Sequence, residues 1–475
     1  MTRHTASLGA LLPTVRGGFG PRRVFGDTDV AISGITHDSR RVGPGSIFCC
    51  VPGTTTDGHD HAGAAVQAGA VALLCERPLG LAVAEVIVDD VRQAMGPFSA
   101  AVYGHPTDRL TVVGVTGTNG KTTTAHVLGD LLAQSGRRTA VLGTLTGVFT
   151  TPEATDLQAR FAELVDEETD SVVMEVSSHA LALHRVLGTR FRVAVFTNLG
   201  RDHLDFHGTE ERYFAAKALL FASGLSETGV VNVDDVHGRL LADSSDIEIV
   251  GFGLDDVTDV EIGPRHHAYT WRGLRVRVGL GGRFNVTNSL AAATAASVLG
   301  LSDDDIVEAL AHVPPVPGRF EAVDAGQPFA VIVDYAHTPD GLREALGAAA
   351  ASAPGGRVIL VFGCGGDRDR DKRPEMGAVG ASLADEVVIT SDNPRSEDPD
   401  EIIAAVLSGV SAELRRKVAV NPDRRAAIAS ALDAARPGDV VLLAGKGHET
   451  TQTTGSRVVP FDDRAVAREL LGGAA

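Results

Sequence analysis

Lys121 stands at the end of the loop Gly117-Thr118-Asn119-Gly120 and just ahead of Thr122 and Thr123. A short, β-branched apolar run over 110–115 precedes the loop, and 125–133 follows with helical spacing and few breakers. Strand, glycine loop, Lys-Thr and helix together make a phosphate cradle, because loop N–H groups and a helix N-terminus favour an anion. Lys121 adds a point charge, and the Thr122 hydroxyl can ligate Mg²⁺. Val115 occupies the place of the first glycine in the longer Walker pattern, so the fit is to Gly-x-x-Gly-Lys-Thr. The plain alternative is a tight turn with a surface lysine. The position of Gly-Lys-Thr directly between strand and helix opposes it.

Lysine is scarce. The chain has only Lys121, Lys217, Lys372, Lys417 and Lys446, and arginine at its other basic positions. A chain that uses arginine wherever a generic cation serves marks its lysines for work a guanidinium cannot do. Lys217 lies among apolar neighbours in Ala215-Ala-Lys-Ala-Leu-Leu220, either as a snorkelling surface residue or as a desolvated amine.

These groups need a scaffold. Apolar runs at 139–143, 171–176 and 193–197 each precede polar chemistry: Glu175-Val-Ser-Ser-His179 after one, Asn198-Leu-Gly-Arg-Asp-His203 after another. Strands alternating with helices imply a parallel sheet, whose ligands bind at the strands' carboxyl ends. Thr122, Glu175 and His203 can therefore converge on one site. The runs 329–333, 358–362, 386–390 and 440–444 predict a second such sheet. They lead into Asp334-Tyr-Ala-His-Thr-Pro-Asp340, Gly363-Cys-Gly-Gly-Asp-Arg368, Asp392-Asn393-Pro394-Arg395 and Gly445-Lys-Gly-His-Glu449. No clean Gly-x-Gly-x-x-Gly follows those strands, which argues against a nicotinamide cofactor. An Ala-rich helix runs to Ala296, with Asn288 expected as its cap.

Breakers at Gly104-His-Pro-Thr107 and Pro314-Pro-Val-Pro-Gly318 divide the 475 residues into units 1–106, 107–316 and 317–475. The expected fold class is α/β in three domains: a smaller N-terminal α/β unit, a central phosphate-loop parallel sheet and a C-terminal Rossmann-like sheet. Net charge −18, from 43 basic and 61 acidic residues, argues against a general nucleic-acid binder. No run of about 18 apolar residues and no signal-peptide core are visible, so a cytoplasmic chain without a membrane span is expected. Cys49, Cys50, Cys75 and Cys364 lack metal spacing and are expected as buried free thiols.

The set Gly117-Thr-Asn-Gly-Lys-Thr-Thr123, Glu175-Val-Ser-Ser-His179, Thr197-Asn-Leu-Gly-Arg-Asp-His-Leu-Asp205, Asp334-Tyr-Ala-His-Thr-Pro-Asp340 and Gly445-Lys-Gly-His-Glu449 resembles the Mur ligases over nearly the whole chain. That resemblance implies an ATP-dependent enzyme of peptidoglycan-precursor synthesis. Asp392-Asn-Pro-Arg395 is similar to members that add meso-diaminopimelate to UDP-N-acetylmuramoyl-L-alanyl-D-glutamate; lysine-adding members lack the arginine. The alternatives are the same ligation with L-lysine or another diamino acid, or a related amide ligase such as a folylpolyglutamate synthetase. By resemblance, ATP is held by the phosphate loop with Asn285, Arg319 and Asp334. Mg²⁺ is held by Thr122, Glu175, His203 and a carbamylated Lys217. The resemblance further assigns Ser39, Thr54, Thr55 and Thr56 to the uridine diphosphate, and Thr150, Thr151, Ser177 and Arg185 to the sugar peptide. Leu183 stands where some members have Gln. Arg368, Asp392, Asn393, Pro394, Arg395, Gly445 and Glu449 would form the amino-acid pocket. A monomer is expected.

Overall fold

The computed structural model describes residues 6–53, 56–352 and 354–472. Three α/β layers follow one another along the chain. The first is a five-stranded sheet in the order Arg23–Phe25, Ala84–Ile87, Ala70–Cys75, Ser46–Cys49, Gly34–Thr36, parallel except at its first strand.

The second sheet carries the phosphate loop. Its strands are β1 (Thr111–Thr116), β2 (Thr139–Leu142), β3 (Ser171–Glu175), β4 (Phe191–Phe196), β5 (Ser226–Asn232) and β6 (Glu248–Phe252), all parallel, in the order β6-β5-β4-β1-β3-β2. β1 is central and buried on both faces, which its continuous Val-rich run anticipates. Gly114 is needed there because a Cβ would press on the Phe191 ring. Helix α1 (Lys121–Gln134) packs on this sheet beneath α3 (Phe284–Val298), whose run of buried alanines permits close approach. α2 (Glu210–Ala218) lies between them in sequence. Register decides the function of this layer. Val115 pairs with Glu175 and Thr116 with Phe196, so the loops after β1, β3 and β4 leave the sheet at one level.

The third sheet has strands β7 (Glu321–Val323), β8 (Ala330–Asp334), β9 (Val358–Phe362), β10 (Glu386–Ile389), β11 (Val418–Val420) and β12 (Val440–Ala444), in the order β7-β8-β12-β9-β10-β11. All are parallel but β7. Asp334 and Phe362 both pair with Ala444, and Phe362 pairs with Ile389, so four polar loops emerge from one edge. A hairpin of β13 (Thr451–Thr454) and β14 (Arg457–Pro460) stands beside them. Helices α4 (Pro339–Ala351), α5 (Lys372–Leu383), α6 (Arg424–Ala434) and α7 (Asp463–Gly472) cover the two faces.

The strand expectations hold to within one or two residues, and Val358–Phe362 and Val440–Ala444 match outright. The antiparallel piece Val257–Ile262, His267–Trp271, Leu274–Val278, the strands β5 and β6, the first sheet's Arg23–Phe25 and Ala84–Ile87, and the edge strands β7 and β11 were not anticipated. Asn288 is not a cap: α3 begins at Phe284, and Asn288 lies one turn inside it, buried, donating to Asn285 Oδ1 at 2.9 Å. All four cysteines are buried and free. Among the described residues no helix is long and apolar enough to cross a membrane.

Candidate active site

The phosphate loop is shaped by its neighbours. Gly120, with φ +84, precedes α1, and a Cβ there would strike Asn288 Oδ1. The segment after β4 pins the loop: Thr118 N donates to Asn198 O and Asn119 N to Asn198 Oδ1, both at 2.9 Å, and Thr197 Oγ1 donates to Asn119 O at 2.6 Å.

Lys121 folds back, its Nζ donating to Gly117 O and Thr118 O, each at 2.9 Å. Lys217 Nζ donates to the same Gly117 O at 2.7 Å and sits 4.5 Å from the centroid of the Tyr213 ring. At 1 % exposure Lys217 is the desolvated amine rather than the snorkel. Burial drives its pKa well below 10.5, Lys121 pushes it further, and Asp202 opposes.

Glu175 is also 1 % exposed. It accepts Thr122 Oγ1 at 2.9 Å and Thr144 N at 2.8 Å. Arg319 reaches over from the third sheet and donates to Thr122 Oγ1 at 2.9 Å, while its guanidinium stacks 4.6 Å from the Tyr335 ring centroid. Asp334 lies beneath, accepting Phe320 N at 2.7 Å and Ala336 N at 2.8 Å. Desolvation raises its pKa against the pull of Arg319.

Thr118, Asn119, Gly120, Lys121, Thr122, Thr123, Glu175, His203, Lys217, Arg319 and Asp334 all line one cavity of about 270 Å³, with Thr150 and Ser177 at its side. Asn285 does not line it; it is buried beneath, donating to Gly281 O at 2.7 Å. Gly117 contributes its carbonyl from below. His203, with φ +54, projects from the turn after β4 beside Asp202 at 3.3 Å. Desolvation in the cleft lowers its pKa, Asp202 opposes, and His179, Lys121 and Lys217 add to the lowering.

A second cavity of about 430 Å³ is lined by Arg368, Asp392, Arg395, Gly445 and Glu449. Asp202, His203, Tyr335 and His337 line both cavities, so the phosphate loop and the third sheet's polar loops share a wall. Asn393 fixes Glu449 by donating to its Oε2 at 2.6 Å, and its own Oδ1 accepts Thr453 N at 2.9 Å. Pro394 is buried between them.

Thr151 Oγ1 donates to Glu175 O at 2.9 Å, and Arg185 donates to Thr151 O at 3.2 Å and pairs with Glu153 at 2.8 Å. Ser39 opens a turn of the first layer that is docked on the helix Ala154–Asp166 through His37–Thr155 at 2.9 Å and Arg41–Asp156 at 2.6 Å. Thr56 is exposed on the loop before Asp57, and Thr54 and Thr55 lie outside the described residues.

Two functional residues escaped the sequence altogether, and a third, Lys446, was marked only by lysine scarcity. Lys446 is fully buried and donates to Thr451 O at 2.7 Å, and it stands 3.4 Å from Glu449. Arg424 is buried behind the second cavity, and Glu397 ties two of its loops. For Lys446 the signal was present in lysine scarcity. For the other two, whose partners are distant in sequence, none was visible.

The chain matches the Mur ligase middle domain over residues 115–296, the Mur ligase glutamate ligase domain over 318–447 and the Mur ligase family catalytic domain over 31–104. It is 48% identical over 465 residues to the UDP-N-acetylmuramoyl-L-alanyl-D-glutamate--2,6-diaminopimelate ligase of Geobacillus thermodenitrificans, covering 93% of this chain and 95% of that one. A solved structure of a ligase of the same name is 32% identical, with TM-score 0.70 over 99% of each chain. The MurF ligase of Thermotoga maritima, solved with ADP, shares the fold at 22% identity and TM-score 0.62, over 92% of this chain and 96% of that one. Fold and site define a phosphate-loop ligase, in which one α/β layer holds the nucleotide loop and another closes on it. The chain belongs to the Mur ligase family.

Proposed function

We propose that this chain joins meso-diaminopimelate to the γ-carboxylate of D-glutamate in UDP-N-acetylmuramoyl-L-alanyl-D-glutamate, using ATP, as a monomer in the cytoplasm. Units 1–106, 107–316 and 317–475 would receive the uridine diphosphate, the ATP and the incoming amino acid. One observation carries the reading: the cavity around Lys121 and the cavity around Arg395 share the wall of Asp202, His203, Tyr335 and His337. A phosphorylated intermediate formed at the first is within reach of an amine held at the second.

The γ-carboxylate oxygen attacks the terminal phosphorus of ATP, and ADP leaves. The neutral diaminopimelate amine then attacks the acyl carbon, the C–O bond to phosphate breaks, phosphate departs, and the nitrogen gives up one proton to solvent. Such transfers need positioning and charge neutralisation more than covalent help. Lys121 leaves its carbonyls to follow the transferring phosphate, and the loop amides hold the rest. Arg319 and Asp334 meet the nucleotide from the third layer. Closure of that layer keeps water from the acyl phosphate.

The residues present fit Mg²⁺, which when bound supplies charge neutralisation at the phosphates. Thr122, Glu175, His203 and Lys217 line one cavity. Among the described residues no three His, Cys, Asp or Glu groups gather closely enough to hold a metal unaided. A carbamate on Lys217 would add a second carboxylate beside Glu175, and the buried amine, with several N–H donors, donates to Gly117 O at 2.7 Å.

The amino acid is chosen by Arg395. A guanidinium fork suits the distal carboxylate of diaminopimelate, and Glu449 its ammonium. The test is kcat/KM for meso-diaminopimelate and L-lysine in wild type and Arg395→Ala. A wild-type preference of several powers of ten is expected, lost in the variant through diaminopimelate use. Equal use of both by the wild type would sink the assignment.

A further inference from the structure

Arg395 has an unusual foundation. Its φ is +53, its N donates to Thr453 O at 3.0 Å, and its side chain donates to Gly366 O at 2.7 Å. The fork is therefore aimed by the carbonyl of another loop. That segment, 365–373, runs from the end of β9 into the first turn of α5 and also carries Arg368; Ser396 holds its Asp367 carboxylate, donating from N at 3.2 Å and from Oγ at 2.5 Å. Gly366 N donates to Asn393 O at 2.9 Å, and a Cβ at Gly366 would run into the Pro394 carbonyl. The next contact is made by Glu397.

Glu397 Oε1 accepts the amide of Asp367 at 2.6 Å. Its two oxygens take both terminal amines of Arg373, at 3.0 and 2.9 Å, and Arg370 at 3.1 Å. Arg373 in turn donates to Gly365 O at 3.2 Å. The Glu397 and Arg373 side chains are 8% and 3% exposed. Glu397 thus holds Asp367 and Arg373 directly and Gly365 through Arg373, and Gly366, which aims Arg395, lies between Gly365 and Asp367. Arg373 and the Asp367 amide hold the Glu397 carboxyl down to about 2, so it stays charged over any working pH.

We propose that Glu397 is a positioning residue for the amino-acid substrate: it locks loop 365–373 against 392–397 and so orients the Arg395 guanidinium in the second cavity. This rests on the amino-acid pocket proposed above. Glutamine at 397 would set an amide NH₂ against the Arg373 guanidinium, and aspartate would be one methylene short of Asp367 N. Neither removes a group that touches substrate.

The experiment measures KM for meso-diaminopimelate, ATP and the UDP-dipeptide, with kcat, in wild type, Glu397→Gln, Glu397→Asp, Arg395→Ala and the double variant Glu397→Gln/Arg395→Ala. Loss of one charged hydrogen-bond partner predicts a rise of about tenfold or more in KM for diaminopimelate. The other two KM values are expected to stay within about twofold, being set by distant, independent contacts. In the Arg395→Ala background, Glu397→Gln should add nothing, since the group it aims is gone. An unchanged KM for diaminopimelate overturns the proposal, as does an equal further loss on top of Arg395→Ala. If Glu397→Gln does not fold, Arg373→Gln removes the same clamp from the other side and is judged by the same criteria. A wild type that makes no ADP in response to diaminopimelate refutes instead the function on which the proposal stands.

Discussion

The Lys217 amine donates to one carbonyl and faces one aromatic ring. Burial favours the neutral amine, and a neutral amine can add to CO₂, forming an N–C bond and releasing a proton to solvent. Lys217→Ala should cost on the order of 10²–10³ in kcat, the usual loss of one preorganised charge. Small added carboxylates should partly restore ligation, and failure of any carboxylate to do so counts against a carbamate. The amine also leaves a mark on stability. Its folded pKa lies below the unfolded 10.5, so the unfolded chain binds the proton more tightly between those values. Stability therefore rises with pH across that window, by at most about 1.4 kcal/mol per unit, and the term vanishes in Lys217→Met. Urea unfolding of both proteins in CO₂-free buffer at several alkaline pH values reads the difference directly. At this scale Lys121 and Glu175 were legible because their motifs sit directly after apolar strand runs, whereas Lys217 stayed open between a snorkelling residue and a desolvated amine until its burial decided it. Glu397 and Arg424 were not legible, because an acidic or basic residue in a polar stretch looks solvated until the fold supplies its partner.

The loops owe their positions to elements behind them. Arg424 at the start of α6 and Asp463 at the start of α7 form a pair with both side chains at 0% exposure. Arg424 uses its remaining N–H groups on Ala444 O at 3.0 Å and Ser391 O at 3.4 Å, the carbonyls just before Gly445 and Asp392. Two helices and two strand ends thus meet on one guanidinium. Removing one partner leaves an uncompensated buried charge, which costs about 3–5 kcal/mol. Asp463→Asn is expected to lower the denaturation midpoint of the third layer accordingly; a loss under about 0.5 kcal/mol, the range of an ordinary surface change, would refute it. Elements were legible where a buried parallel strand reads as a continuous apolar run. The short edge strands β7 and β11 escaped, since pairing on one side needs no such run. Asn288 was misread because the polar residues ahead of the alanines are themselves helical, buried against the phosphate loop.

Across the whole molecule, the second and third layers meet where Arg319 donates to Thr122 Oγ1 at 2.9 Å and where Asn119 Nδ2 of the phosphate loop donates to Glu344 Oε2 at 3.4 Å. The sequence showed that two sheets existed and that both ended in polar loops. Which loops would face each other depended on packing between layers, which leaves no periodicity to read. Arg319→Ala should weaken ATP binding about tenfold or more, as loss of a charge-assisted hydrogen bond would. Calorimetry of the UDP-dipeptide on the same variant should be unchanged. Equal loss for both ligands would mean that the arginine merely holds the layers together.

The Gly117 carbonyl accepts hydrogen bonds from two lysine amines, at 2.9 and 2.7 Å. Both amines share one acceptor, so the state of either is felt by the other. A carbamate on Lys217 would withdraw one competitor and exchange a cation for an anion, giving Lys121 a different resting place before any nucleotide arrives. Thermodynamic reciprocity then applies: whatever factor CO₂ uptake imposes on nucleotide affinity, nucleotide imposes on CO₂ affinity. With Lys217 carbamylated, dissolved carbon dioxide and ATP would become mutual effectors, linked through a single peptide oxygen.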